Sequence, residues 1–273
     1  MFRHSTMFPL RGKVRRPGKP GLRRSLALFA GMVVLGMAGA VGLQAQDRGF
    51  LLGMPRVSLT VKAGYHMPRA GGGSDIQSLW DLTREELTVE SRDLAGMSIG
   101  GELGIRTTPR MDITAAVGYN ASETRSEFRD WVDTDDLPIE QTTAFSTVPV
   151  TVGVKAYLWE RGRSVGRFAW IPRTWNLYGA VAGGLVTYRF EQWGDFVDYE
   201  TLDIFNERFY ATERGATVHF AGGMDVNVNG RLVFTGEARY GIASAPIDSP
   251  DFTGFPDLDL NGLQITGGIG IRF

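Results

Sequence analysis

From residue 55 to residue 273 the chain alternates apolar and polar residues in runs of about ten or more positions, the period of a β-strand. Eight such runs stand out. The first, about 55–66, sets Val57, Leu59, Val61, Ala63 and Tyr65 against Ser58, Thr60, Lys62 and Gly64. The second, about 96–107, sets Met97, Ile99, Leu103 and Ile105 against Ser98, Glu102 and Arg106. A tight turn at Thr108-Pro109-Arg110 leads to the third, 111–121, with Ile113, Ala115, Val117 and Tyr119 opposite Asp112, Thr114 and Asn120. The fourth, about 143–158, carries a valine ladder (Val148, Val150, Val152, Val154) opposite Thr147, Thr151 and Lys155. Pro149 removes a ladder donor there and predicts a bulge or local break.

The fifth run, about 174–190, is apolar on both faces; placing Tyr178, Ala180, Ala182, Val186 and Tyr188 outward leaves Thr187 and Arg189 inside. The sixth, about 214–227, opposes Ala216, Val218, Phe220, Met224 and Val226 to Thr217, His219, Asp225 and Asn227. Asn229-Gly230 predicts a type I′ hairpin turn. The seventh, 231–241, opposes Leu232, Phe234, Ala238 and Tyr240 to Thr235, Glu237 and Arg239, and the eighth ends on Ile265, Ile269, Ile271 and Phe273 against Gln264, Thr266 and Arg272.

A soluble sandwich and a membrane barrel both alternate, but a barrel puts its apolar face in lipid and its polar face inside. Strand length favours the barrel, since a tilted strand needs about 9–11 residues to cross the hydrocarbon. Loop asymmetry agrees: long connections (67–95, 122–142, 191–213, 242–260) alternate with short ones (108–110, 228–230), with 159–173 between. Two aromatic girdles are expected, Tyr65, Tyr119, Phe145, Tyr188, Phe190 and Tyr240 at the loop ends, and Tyr157, Trp159, Trp170 and Trp175 at the turn side. Because no water satisfies a sheet edge in lipid, the ladders must close on one another. The expected fold is all-β: an eight-stranded antiparallel transmembrane β-barrel, an up-and-down meander with both ends on one side.

Composition divides the chain. Residues 1–45 hold eight basic residues and no acid, and an apolar run from Ser25 to Leu43 precedes Ala45. That order is a cleaved secretory signal, with an uncleaved membrane helix as the other reading of the same run. The expected division is a signal peptide, 1–45, and a barrel domain, 46–273. Residues 46–273 hold 21 basic and 30 acidic residues, a net of -9, which argues against a nucleic-acid partner. With no cysteine, there is no disulfide framework.

The final segment, Leu263-Gln264-Ile265-Thr266-Gly267-Gly268-Ile269-Gly270-Ile271-Arg272-Phe273, resembles the last strand of bacterial outer-membrane barrels, which ends in an aromatic residue preceded by apolar residues at every second position. The resemblance implies recognition by the outer-membrane assembly machinery through Phe273, Ile271 and Ile269. The region from Gln46 onwards resembles the small eight-stranded group that includes the outer membrane protein A membrane domain and the outer membrane protein W type. It departs from full-length outer membrane protein A in having no segment after Phe273 to bind peptidoglycan.

An eight-stranded interior is filled by side chains. Lys62, Glu102, Lys155, Glu237 and Arg239 are expected to form a polar network there, joined by Arg106, Arg189, His219, Asp225 and Arg272. Its reading is structural satisfaction, with a narrow pore or gate as the alternative. The four long loops hold 24 acids, while Arg161, Arg163, Arg167, Arg173 and Arg231 lie in the turns. Asp133, Asp135 and Asp136 lack the spacing and glycine of a calcium loop. His66, where the first strand meets its loop, is where an outer-leaflet lipid A-modifying enzyme would place a base, but His219 is followed by Phe220-Ala221 rather than that pattern's serine. In the first loop Ile76, Leu79, Trp80, Leu82 and Leu87 predict either a short amphipathic helix, on the membrane or in the barrel mouth, or a strand extension.

The expected function is a non-enzymatic outer-membrane protein with a structural or surface-interaction role, a side-chain-filled lumen and acidic extracellular loops. The alternatives are a narrow channel for small or hydrophobic solutes and, less favoured, lipid A modification. No catalytic residues, metal ligands or cofactors are assigned. The expected partners are outer-membrane lipid and lipopolysaccharide and the assembly machinery, with a monomeric barrel and both termini periplasmic.

Overall fold

The computed structural model describes residues 51–71, 78–166, 169–199, 201–249, 251–252 and 254–273. The predicted signal segment, Ile76 and Arg167 lie outside them.

Eight long strands form the barrel: β1 (Val57–Pro68), β2 (Gly96–Thr108), β3 (Met111–Val132), β4 (Pro138–Tyr157), β5 (Trp175–Val197), β6 (Ile204–Asn227), β7 (Leu232–Ala245) and β8 (Gly262–Arg272). Each pairs antiparallel with its sequence neighbours. β8 returns to β1 through eleven paired positions, from Gly262↔Pro68 to Arg272↔Ser58, and closes the ring. The up-and-down meander therefore closes on itself, and among the described residues no barrel strand is left with an open edge at membrane depth.

The outer surface carries a belt of large apolar side chains that no soluble surface would expose. Met97, Val152, Leu185, Phe220, Ile265 and Ile269 are all exposed, as are Leu103, Ile113 and Phe234. Inward positions at the same depth are polar and buried: Lys62, Glu102, Thr151, Lys155 and Glu237. This inversion of the soluble pattern defines a transmembrane barrel.

The barrel is uneven in height. β3, β4, β5 and β6 are 22, 20, 23 and 24 residues long, against 11 to 14 for the other four. Ten extra residues at about 3.3 Å each carry the taller strands about 30 Å further along the strand. The predicted loops 122–142 and 191–213 are thus mostly strand, and their turns shrink to 133–137 and 198–203.

Where these strands leave the belt, their two faces exchange character. On β5 the outward positions run Leu177, Val181, Leu185, then Arg189, Glu191 and Asp195, while the buried ones run Asn176, Tyr178, then Val186, Tyr188, Phe190 and Phe196. The predicted facing of β5 is therefore inverted. Tyr178, Val186 and Tyr188 point inward, and Arg189 lies outside, bonded to Glu191 at 2.5 Å. A rule of polar-inside fails on this strand because its upper interior is a hydrophobic core.

That core joins Phe145, Tyr188, Phe190, Phe196, Phe209 and Phe252 to Leu79 and Trp80 of α1 (Leu79–Glu86). Phe145, Tyr188 and Phe190, expected in a girdle, belong to it, and Tyr157 and Trp170 also turn inward. Tyr65, Tyr240 and Trp175 remain exposed on the outside. Two local expectations also change. At Pro149 the β3–β4 ladder lapses between Val117↔Val150 and Asn120↔Thr147 without a register shift, so it is a break and not a bulge. At 228–231 neither Asn229 nor Gly230 has positive φ, so the turn is not type I′; Asn229 Oδ1 instead accepts from the amides of Arg231 (2.9 Å) and Leu232 (2.7 Å).

Candidate functional site: a lumen closed at three levels

At the end with the short turns, a small sheet lies apart from the ring. Leu51–Leu52 pairs with Ala169–Pro172, which pairs with Gly162–Val165. Trp170 of this sheet is 1% exposed, and the Arg106 guanidinium sits over its ring at 5.2 Å. Arg161 forks onto Asp112 through two bonds of 2.6 Å, a bidentate pair between a turn and the base of β3. Arg272 of β8 reaches Asp225 at 3.2 Å, and the Tyr157 hydroxyl donates to the same carboxylate at 3.0 Å. Of the turn arginines grouped by sequence, Arg161 is therefore a buried closing residue.

The middle level brings together all five residues predicted for the lumen network. Lys62 Nζ lies 2.6 Å from Glu102 Oε2 and 2.8 Å from Glu237 Oε2. Lys155 pairs with the other oxygen of Glu102 and stands over the Tyr178 ring at 4.4 Å. Glu237 also accepts from Arg239, at 2.8 Å, and from the Tyr178 hydroxyl, at 2.9 Å. Three cations and two carboxylates thus share one cross-barrel cluster, each carboxylate bridging at least two donors, which is how buried charge is tolerated. Register explains the meeting: Thr60 pairs with Glu102 on β2, and Glu237 with Thr266 on β8, which places Lys62 between them. Arg106, Asp225 and Arg272 belong to the level below, and Arg189 to neither.

Above the cluster a cavity of about 30 Å³ is lined by His66, Asn120, Thr147, His219, Arg239 and Gln264. That is room for a few water molecules at most. Asn120 Oδ1 and His219 Nδ1 make no hydrogen bond among the described residues. His219 Nε2 meets the Thr217 hydroxyl at 3.3 Å. Room for its ring comes from Gly241, directly across the ladder, where a Cβ would stand 2.9 Å from Nδ1. Among the described residues no group of three or more His, Asp or Glu side chains is placed to hold a metal ion.

The third level is α1. Ser78 caps it through a reciprocal box with Asp81: the Ser78 hydroxyl accepts from the Asp81 amide at 3.1 Å, and the Ser78 amide donates back to the carboxylate. That hydroxyl holds the Asp81 carboxyl below its ordinary range. The helix turns Leu79, Trp80 and Thr83 inward, and Trp80, fully buried, meets Phe145 and Phe190 edge-on at 5.1 and 5.4 Å. Of the two readings of the first loop, the helix in the barrel mouth is realised. The Leu87↔Phe128 bridge and the Thr88 amide, which donates to the Glu127 carbonyl at 2.9 Å, tie the following segment to β3. Trp80 and Trp170 close opposite ends; the sequence singled out both, but Trp170 as a girdle residue and not as a closure.

The closed ring, apolar belt and polar interior define an integral outer-membrane β-barrel of the small eight-stranded class, in line with the resemblance of the last strand. No family model matches the chain, and no curated protein matches it. Among solved structures it is similar to Ail, the attachment invasion locus protein of Yersinia pestis (12% identity, 81% of this chain and 100% of that one, TM-score 0.36). It is also similar to the outer membrane protein OprG of Pseudomonas aeruginosa (13%, 82% and 99%, 0.40) and to the outer membrane protease OmpT of Escherichia coli (12%, 82% and 95%, 0.32).

Proposed function

We propose that this barrel is a non-enzymatic surface protein, whose membrane ring anchors a rigid platform outside the cell for structural or recognition work. The observation that carries this reading is the lumen, filled by ion pairs and by two tryptophan-centred closures, beneath four strands that rise above the belt around a core of their own. A narrow channel for small solutes is disfavoured, because the Lys62–Glu102–Lys155 and Glu237–Arg239 ion pairs cross the lumen and the cavity above them is small. The platform side faces outward and the short turns, with both chain ends, face the periplasm, as short periplasmic turns and tall outer strands are arranged in such barrels.

The exposed belt is the surface for outer-membrane lipid, with Tyr65 and Tyr240 at its platform margin near lipopolysaccharide. Phe273, whose amide donates to the Val57 carbonyl at 2.8 Å while its side chain stays exposed, is the residue presented with Ile271 and Ile269 to the assembly machinery. The experiment is planar-bilayer recording of the refolded chain. A silent bilayer is expected, and sustained single-channel currents would overturn the closed-barrel reading. Unchanged lipid A mass spectra with and without the protein are the matching expectation for the absence of lipid A chemistry.

A further inference from the structure

We propose that the adjoining tips of the β3–β4 and β5–β6 hairpins form a docking surface for a cationic, amphipathic polypeptide. The proposal deepens the surface-recognition reading above and rests on it. Val132, Leu137, Leu202 and Ile204 are 57%, 57%, 60% and 41% exposed at these tips. They stand about ten residues beyond the lipid belt, so lipid does not account for them. Trp131 and Tyr199 meet edge-on at 6.1 Å and join the two tips into one surface.

The patch is presented on fixed turns. Asp133 Oδ1 accepts from the amides of Asp135 and Leu137, both at 2.8 Å, and Leu202 donates its amide to the Asp198 carbonyl at 2.7 Å. Leu202 holds φ at +61°, a region that favours glycine or asparagine, yet the position presents a leucine to solvent. A backbone outlier carrying an exposed apolar side chain costs the turn stability and makes Leu202 a candidate contact residue.

Charge selects the occupant. Residues 129–140 hold five acids and one arginine, and residues 195–199 and 201–208 together hold four acids and one arginine, nets of -4 and -3 on the two tips. Asp130, Asp135, Asp136, Asp203 and Glu207 are exposed around the apolar centre. A field of this sign repels phosphate, sulfate and a second copy of the same tips, and it steers basic ligands inward. An apolar centre with an anionic rim is complementary to a chain that carries both leucine-like and lysine-like side chains.

The test uses the full chain in nanodiscs of zwitterionic lipid, with empty nanodiscs as baseline. The probes are three fluorescent peptides of equal length: an amphipathic Lys/Leu helix, its Glu/Leu counterpart and oligolysine. Anisotropy is expected to report binding of the Lys/Leu peptide that weakens with added salt, at least tenfold weaker binding of oligolysine, and none of the Glu/Leu peptide. The double variant L137S/L202S is expected to weaken the Lys/Leu peptide at least tenfold while keeping the heat-dependent gel shift of a folded barrel. The variant D135N/D136N/D203N is expected to flatten the salt dependence. Equal binding of oligolysine, any preference for the Glu/Leu peptide, or unchanged affinity in both variants overturns the proposal. Such a failure with a silent bilayer leaves the closed-barrel reading standing, whereas channel currents remove that reading whatever the peptides do.

Discussion

Trp80 donates its indole N–H to the backbone carbonyl of Asp259 at 3.0 Å, joining the first connection to the last across the mouth of the barrel. One side chain thus ties together both segments that roof the platform core, because its ring also meets Phe145 and Phe190 from the tall strands.

Replacing Trp80 with Ala should therefore loosen the platform and spare the ring. Truncating a buried tryptophan costs about 3–5 kcal/mol, and the Asp259 carbonyl loses its donor as well. Hydrogen exchange is expected to accelerate in α1, in 139–145 and in 186–211, while 57–65 and 263–271 stay protected and the gel shift on boiling survives. Unchanged exchange, or a lost gel shift, would count against a platform core separable from the membrane ring.

Glu102 is predicted to be the most sensitive member of the lumen cluster. Glu102→Ala leaves Lys155 without a carboxylate, and its side chain is 7% exposed, so the variant retains a buried unpaired ammonium. Breaking a buried pair from one side costs about 3–5 kcal/mol. Glu237→Gln should cost less, since Lys62 keeps Glu102 at 2.6 Å. The triple variant K62M/E102L/K155M, which removes the charges together, should come close to the parent. Urea midpoints in lipid vesicles test the order, and a triple variant weaker than E102A would show that the network holds more than its own charges.

The short strands were legible because one rule holds along their whole length. β1, β2, β7 and β8 follow a single apolar-out alternation, and Lys62, Glu102 and Glu237 could be placed in the lumen from parity alone. Of the tall strands, β3, β4 and β6 were legible in their membrane segments but not in their upper halves, and β5 was read inverted, because the same parity carries Leu185 in lipid and Arg189 in water while Val186 and Phe190 share the inner face. A switch from leucine to charge on one parity, with aromatics gathering on the other, was the available signal for leaving the membrane. Arg161 and Asp112 could not be paired from the chain, since they lie 49 residues apart and Arg161 reads as a turn residue. Trp80 was visible as an apolar residue in a loop too apolar for water, but its partner Asp259 was not.

Gly241 is predicted to matter only because of His219. A Cβ at this position would stand 2.9 and 3.1 Å from Nδ1 and Cε1 of that ring, with no other atom nearer than 4.0 Å. Gly241→Ala should displace the imidazole from the Thr217 hydroxyl, with an overpacking cost of about 1–3 kcal/mol. In a His219→Ala background the same change should be close to neutral, so the double-mutant cycle carries a coupling of similar size. Additive costs in urea unfolding would show that Gly241 serves the backbone and not the ring.

Acid should tighten α1, and Glu86 sets the sign. This carboxyl, half-buried at the helix end beside the Tyr199 hydroxyl, is raised above its ordinary value, by burial first and by neighbouring Glu85. A group whose folded pKa is raised binds its proton more tightly folded than unfolded. Its contribution is fully present below the ordinary carboxylate range and is lost as pH rises through the raised value. Asp81 works in the opposite direction. The Ser78 hydroxyl lowers it, so its contribution is present at neutral pH and is lost only as pH falls below the ordinary range. Between these two windows, in mildly acidic solution, both groups favour the docked helix. Exchange in 79–86, corrected for its intrinsic pH dependence, should therefore be slowest there and rise toward neutrality. Glu86→Gln should remove the rise toward neutrality and leave the loss in stronger acid, whereas Asp81→Asn should do the reverse. A helix in the Glu86→Gln protein that still loosens between mild acid and neutral pH would assign that dependence to another group.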